Sequence, residues 1–167
     1  MRSLSLLLGV CGAVAAMLAW QALVPMVRPD PSGASMGVRL GLACAALLPA
    51  AAVLALMLLV QMGLRFAAGA IDPLAGHETP ALQRNQRVIA NTLEQFAVFA
   101  PALLALAAGT TAARMAEVTA AGVVFAGARV LFWLGYLAAP VGRAFGMAGT
   151  LVATLGTLAA AIWVWLT

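Results

Sequence analysis

Five long apolar stretches account for most of this 167-residue chain. A helix needs about 20 predominantly apolar residues to cross the hydrocarbon core of a bilayer. Stretches of that kind are predicted at 4–26, 40–64, 87–112, 116–139 and 144–166. Charged residues make up only 8% of the chain, whereas a soluble domain has about 25%. The sequence therefore predicts an all-α fold, an integral membrane helical bundle with no separate soluble domain.

The first apolar stretch also has features of a signal peptide, because MRS precedes a leucine-rich core that ends in AVAA. Its apolar run is longer than the roughly 7–15 residues of a usual signal-peptide core. We therefore predict a transmembrane helix here, and removal of this segment in the cell stays an alternative.

The basic residues are all arginines, placed singly at predicted helix ends and in loops. This placement is typical of topology signals and does not favour nucleic-acid binding. One side of the predicted bundle would carry Arg2, Arg65, Arg84, Arg87 and Arg143, and the other Arg28, Arg39 and Arg114. The positive-inside rule then predicts a cytoplasmic N-terminus, in what we expect to be a bacterial inner membrane.

The two cysteines give no sign of a redox or metal site. Cys11 and Cys44 lie in apolar stretches without a CxxC pattern or a histidine cluster. Free cysteines in such surroundings are usually small buried apolar side chains, and we expect that here. No metal site is predicted.

A stripe of polar residues opens the third apolar stretch: Arg84, Arg87, Asn91, Glu94 and Gln95. On a helix these side chains fall within an arc of about 100°. Because ionisable groups are costly in lipid, this face must meet other helices or a wet cavity. Arginine forks suit carboxylates, and a glutamate can receive an ammonium group. The stripe thus predicts a site for a small ligand with carboxylates and an amine.

Two other interpretations of this stripe stay open. An Arg–Glu pair inside the membrane can simply hold helices together. Glu94 could also act as a proton relay in a small transporter, although the chain lacks the inverted repeats and paired broken helices typical of that class.

The fourth apolar stretch contributes a second polar pattern. Arg129, Phe132 and Tyr136 follow one another at i, i+3 and i+7, on one face of a helix. Arg143 comes just after a break at Pro140 and returns to the membrane surface. An arginine there can stabilise an anion such as a thiolate.

Taken together, the two patterns resemble the MAPEG family, the membrane-associated proteins of eicosanoid and glutathione metabolism. The family pattern R-x-x-R-x-x-x-N-x-x-E is matched by Arg84, Arg87, Asn91 and Glu94. The later pattern R-x-x-[YF]-x-x-G-Y with a downstream arginine is matched by Arg129, Phe132, Gly135, Tyr136 and Arg143. The resemblance covers about residues 40 to 166.

The resemblance implies a MAPEG-like four-helix membrane domain at 39–167, with an additional N-terminal transmembrane helix and loop at 1–38. It also implies a homotrimer that binds glutathione between subunits near the cytoplasmic face. The activity implied is that of a glutathione transferase or glutathione-dependent peroxidase, acting on hydrophobic small molecules that enter from the membrane lipid.

Residue roles follow from the same resemblance, at matching positions only. Arg87, Asn91 and Glu94, with Arg84 in the same motif, would hold the glutathione carboxylates and amine. Tyr136 and Arg129 would complete the pocket from a neighbouring subunit. Arg143 would activate the thiol, and Arg65 is a further candidate at the end of the preceding span.

Some positions depart from the family pattern. Ile89, Gln95 and Phe132 stand where the family often has other hydrogen-bonding residues. Each loss removes a bond worth about 0.5–1.5 kcal/mol. A non-catalytic MAPEG-fold membrane subunit or lipid-binding scaffold is therefore the alternative function.

Overall fold

The computed structural model describes residues 2–27, 35–70, 78–139 and 141–167. Within these ranges the chain forms five long helices: α1 (Arg2–Leu23), α2 (Met36–Ala67), α3 (Pro80–Gly109), α4 (Met115–Ala138) and α5 (Arg143–Leu166). Each is long and apolar enough to cross a membrane. The prediction of an all-α integral membrane bundle is confirmed. Arg28 and the predicted break at Pro140 lie outside the described residues.

The helices α2 and α3 begin earlier than the hydrophobic pattern predicts. The Thr79 hydroxyl accepts a hydrogen bond from the Leu82 N–H at 3.3 Å, and Pro80 occupies the first turn of α3. The Ser35 hydroxyl likewise accepts from the Val38 N–H at 3.3 Å before α2. Side-chain caps of this kind set where a helix begins, whereas apolar content marks only its lipid-embedded part.

The core lies between α2, α3, α4 and α5, which pack as a four-helix bundle. The helix α4 is the most buried of the five, and its Phe125 ring stacks on Phe99 of α3 with centroids 4.2 Å apart. Glycine allows α5 to approach α4 closely, because a Cβ at Gly146 would collide with the backbone of Phe132. The two helices that carry Tyr136 and Arg143 are therefore held together by backbone contact.

The additional helix α1 packs outside this four-helix core, along α5 and α4. Its contacts with α5 advance in the same direction along both helices: Gly12 lies beside Phe145, Ala16 beside Gly149 and Trp20 beside Gly156. The two helices are thus parallel.

The prediction that both cysteines are buried is wrong, because Cys11 on α1 and Cys44 on α2 are exposed on the surface of the protomer. Both side chains belong to faces of α1 and α2 that the rest of the protomer leaves uncovered.

The alternating direction of the core helices brings distant residues to one end of the bundle. Arg87 near the beginning of α3, Tyr136 near the end of α4 and Arg143 at the beginning of α5 line one cavity there. At the opposite end, Arg39 of α2 donates to the carbonyls of Ala107 and Ala108 at the end of α3, both at 3.0 Å.

Candidate functional site

A cavity of about 500 Å³ lies at the end of the bundle where α3, α4 and α5 meet. Its polar lining consists of Arg87 and Asn91 from α3, Tyr136 from α4, Arg143 from α5 and Ser5 from α1. Its apolar lining consists of Phe132, Ala144, Met147, Ala148 and Leu151. One chain therefore assembles a cavity that is cationic at its polar side and apolar elsewhere.

Arg143 is fixed against an aromatic ring and a helix end. Its guanidinium carbon lies 5.3 Å from the centroid of the Tyr136 ring, within cation–π range. It is also the first residue of α5, where the positive end of the helix dipole favours an anion. The cavity therefore has a cation and a helix N-terminus at the same place.

Arg87 supplies a second positive charge to the cavity. Its side chain is exposed, and α3 keeps it on the face shared with Asn91 one turn later. Within the described parts of the chain, neither Arg87 nor Arg143 makes an ion pair or a hydrogen bond. Their N–H donors are thus available to a ligand.

Arg129 lies behind the cavity and is fully buried, with 0% of its surface exposed. It donates to Asn91 Oδ1 at 3.2 Å, to Thr92 Oγ1 at 2.9 Å and to Thr150 Oγ1 at 3.4 Å. Its guanidinium carbon lies 4.1 Å from the centroid of the Phe132 ring. Arg129 therefore joins α3, α4 and α5 and supports two residues that line the cavity.

The bond from Arg129 also orients the Asn91 amide. Because Asn91 Oδ1 accepts from the arginine, the Asn91 NH₂ group is the part left to face a ligand. An NH₂ group only donates hydrogen bonds, so this position suits a carboxylate oxygen. Together with Arg87 and Arg143, it gives the cavity hydrogen-bond donors that suit anionic groups.

The sequence-predicted residues divide into three groups in the structure. Those that line the cavity are Arg87, Asn91, Tyr136 and Arg143. Arg129 supports it from behind, and the remaining candidates, Arg65, Arg84 and Glu94, do not line it. Arg84 and Glu94 are exposed on the surface of the protomer, and Arg65 is half-buried.

One expectation about assembly stays a prediction. The family resemblance implied that Tyr136 and Arg129 reach the glutathione pocket from a neighbouring subunit. In the structure Tyr136 lines the same cavity as Arg87 and Asn91 of its own chain, and Arg129 bonds Asn91 directly. One protomer therefore already brings these residues together, and a contribution from a neighbouring subunit stays a prediction.

Two of the positions that depart from the family pattern, Ile89 and Phe132, have side chains whose contacts the structure shows. Ile89 is 3% exposed and packs in an apolar cluster with Met57 and Phe132, so it faces away from the cavity. The Phe132 ring supports the Arg129 guanidinium, a role that needs no hydroxyl. The structure therefore gives no reason to count Ile89 as a hydrogen bond lost to a ligand, whereas Phe132 contributes an apolar ring to the cavity lining.

A buried polar network beside the cavity was missed by the sequence analysis. Asn85 donates to the Met57 carbonyl at 3.1 Å and to Gln61 Oε1 at 2.8 Å, and accepts from Trp133 Nε1 at 2.9 Å. The network ties α2, α3 and α4 together at the end that holds the cavity. Its one visible signal was Gln61, an isolated polar residue in an otherwise apolar run. Ser5 was missed because α1 lay outside both motifs.

The fold and the cavity define a class: a membrane helical bundle with a cavity at one end that is lined by two arginines. A sequence model of the MAPEG family matches residues 41–163. The chain belongs to the MAPEG family, as the two motifs indicated. No individual curated protein matches it. The helix α1 lies before the matched residues.

Proposed function

We propose that this protein is a membrane-bound glutathione transferase or peroxidase that acts on hydrophobic electrophiles. The observation that carries the proposal is the cavity lined by Arg87, Asn91, Tyr136 and Arg143 in a MAPEG-family chain. Its volume of about 500 Å³ is within the range of small-molecule sites. Glutathione carries carboxylates and a thiolate, and these anions suit the two arginines of the cavity.

Within this proposal, Arg87 and Asn91 on α3 bind glutathione, and Arg143 on α5 assists the reaction of its thiol. Arg87 and the Asn91 NH₂ group hold glutathione carboxylates by charge-assisted or neutral hydrogen bonds. Tyr136 supports Arg143 through its ring. Arg129 is a positioning residue, since it is fully buried and acts through Asn91 and Phe132.

The chemical step is the attack of the glutathione thiolate on an electrophile. The thiol loses its proton to solvent, the sulfur forms a bond to the electrophilic carbon, and the leaving group departs with the former bonding pair. Arg143 and the N-terminus of α5 stabilise the thiolate before attack, as preorganised donors do for a localised negative charge. The apolar lining accepts the lipid-soluble reactant.

Assembly into a homotrimer is part of the proposal. Glu94 is exposed on the protomer and lies about 10 Å further along α3 than Arg87, inside the apolar part of the helix. A carboxylate at that depth is costly against lipid. A neighbouring subunit that covers this face would remove the cost and give Glu94 and Arg84 a site between subunits, where Glu94 would receive the glutathione amine.

We also propose that the end carrying the cavity faces the cytoplasm, with the N-terminus on that side. The arginine distribution supports this orientation, since Arg2, Arg65, Arg84, Arg87 and Arg143 fall on one side. We keep the division into 1–38 and 39–167, and the start of the family match at residue 41 supports it.

The proposal is tested with protein purified in detergent. We expect isothermal titration to detect glutathione binding, and absorbance to detect its conjugation to a chloro-nitroaromatic acceptor. Arg143→Ala should retain binding and lose most of the turnover. Unchanged turnover in that variant would refute the proposed mechanism, and absent binding in the native protein would refute the proposed ligand.

A non-catalytic MAPEG-fold subunit or lipid-binding scaffold is the second candidate. It is favoured by α1, which adds a helix with an exposed apolar face to the family bundle. Native protein that binds neither glutathione nor the acceptor, and that co-purifies with a larger membrane complex, would establish this alternative.

A further inference from the structure

The helix α1 contributes directly to the lining of the candidate site. Ser5 lies in α1, near its N-terminus, and lines the same cavity as Arg87 and Arg143. Its side chain is half-buried. Among the described residues, the Ser5 hydroxyl has no hydrogen-bond partner. A hydroxyl in that position can donate to a ligand oxygen or sulfur.

The position of α1 is set by a close backbone contact. A Cβ on Gly12 would collide with the carbonyl group of Phe145, two residues after Arg143. The helix α1 therefore touches α5 within its first turn, where Arg143 begins that helix. On the far side of α1, Leu6 and Leu7 are 71% and 60% exposed, as expected of residues that face lipid.

We propose that α1 forms the outer wall of the ligand cavity and that Ser5 is a further ligand-contacting residue. The helix separates the cavity from lipid on this side and holds the first turn of α5 in place. The role of Ser5 rests on the proposed function, because it requires a ligand in this cavity. The role of α1 as a wall does not, because it is a property of the folded chain.

Cross-linking tests the wall without any ligand. A Cβ on Gly9 would lie 4.0 Å from Ala148 Cβ, within the range of about 3.5–4.5 Å for a disulfide. With Cys11 and Cys44 replaced by alanine, Gly9→Cys with Ala148→Cys should form an intrachain disulfide on oxidation. The control pair, Gly9→Cys with Gly156→Cys, is displaced by about 12 Å along α5 and should not.

Chemical modification of Tyr136 tests whether α1 shields the cavity. Tyr136 is the only tyrosine of the chain, so nitration by tetranitromethane followed by mass spectrometry reports on this site alone. Gly12→Val should displace α1 and raise the nitration rate several-fold. The control Gly41→Val should not, because a Cβ at Gly41 meets nothing within 4 Å.

Binding tests the role of Ser5. The probe is an S-alkylated glutathione, which has no free thiol and leaves engineered disulfides intact. Ser5→Ala should weaken its binding by about 2- to 10-fold, the loss expected for one hydrogen bond. Ser3→Ala, an exposed position on the same helix, should bind as the native protein does.

The outcomes separate this inference from the proposed function. Native-like binding by Ser5→Ala, with nitration unaffected by Gly12→Val, would overturn the inference while glutathione binding stands. Interchain disulfides alone, or equal cross-linking of both cysteine pairs, would refute the proposal that α1 forms a wall of the cavity. If the native protein does not bind the probe, the proposed function and the role of Ser5 both fail, and nitration and cross-linking still decide whether α1 is a wall.

Discussion

The two ends of the bundle use arginine in opposite ways. At one end, Arg39 donates to two carbonyls at the end of α3, and Arg114 forms an ion pair with Glu117 at 2.8 Å. At the other end, Arg87 and Arg143 border a cavity and make no hydrogen bond or ion pair with the described residues. The arginines at the first end stabilise the fold, whereas those at the second have N–H groups available to a ligand.

Position at the membrane surface does not by itself distinguish a binding arginine. All four residues lie near helix ends, where long arginine side chains can reach the membrane surface. What distinguishes Arg87 and Arg143 is a cavity beside them and the lack of internal acceptors. This criterion depends on three-dimensional contacts and is not visible in the sequence.

The largest expected effect concerns Arg143. Arg143→Ala should lower the turnover of glutathione with a chloro-nitroaromatic acceptor by about 100- to 1,000-fold, because a preorganised cation near a reacting anion contributes that much. Arg114→Ala at the opposite end should leave turnover within a factor of two of the native value. Equal effects of the two substitutions would remove the functional difference between the ends.

The next effect concerns Arg87, with Arg84 as a matched control on the same helix. Arg87→Ala should raise the Kd for glutathione about 10- to 100-fold, since a hydrogen bond to a charged group contributes about 1.5–3 kcal/mol. Arg84→Ala removes the same side chain one turn earlier, outside the cavity of the protomer. Titration calorimetry on both variants checks this, and a larger loss for Arg84→Ala would move the site to the surface between subunits.

Asn85, which makes three hydrogen bonds at the cavity end of the bundle, should affect stability and not ligand binding. Asn85→Ala leaves Trp133 Nε1 and Gln61 Oε1 without their partner inside the bundle. Unsatisfied buried groups of this kind cost about 1–3 kcal/mol each. Thermal unfolding in detergent should show a clear decrease in Tm, while Asn91→Ala should lower Tm less and weaken glutathione binding more. The reverse pattern would contradict the roles assigned to the two asparagines.

The smallest effect is expected for the ion pair at the opposite end. Arg114 and Glu117 are separated by one helical turn, and their side chains are 47% and 37% exposed. Exposed pairs contribute less than about 1 kcal/mol, because solvent screens them. Glu117→Gln should therefore change Tm only slightly in thermal unfolding. A large decrease would show that this end depends on its charges as much as the cavity end does.

The fold was largely predictable from the sequence because lipid imposes a simple rule: each span must be apolar and about 20 residues long. All five spans were found in this way. The predicted beginning of α3 was late by several residues, because Thr79 and Pro80 start the helix outside the apolar part. Hydropathy does not detect this first turn of α3, because the turn lies outside the apolar part of the helix.

The candidate site was predictable in its residue types more than in its geometry. The motif gave Arg87 and Asn91 correctly as neighbours on one face, and the structure adds Tyr136 and Arg143 to the same cavity. It could not show that Glu94 turns outward or that Arg129 is wholly enclosed. The exposure of Glu94 and the burial of Arg129 depend on which helices pack against each face. The spacing of residues along one helix does not determine this packing.

The spacing of two polar contacts along α3 can be compared with the thickness of a membrane. From Arg87 at one end to Ala107, whose carbonyl receives Arg39, α3 advances about 30 Å. That length equals the hydrocarbon thickness of a typical bilayer, about 30 Å. In a bilayer of that thickness the cavity would lie where the hydrocarbon meets water, within reach of a soluble peptide and of a reactant dissolved in acyl chains. In a thicker bilayer Arg87 would be drawn below the headgroups, so hydrophobic mismatch should tune access to the site.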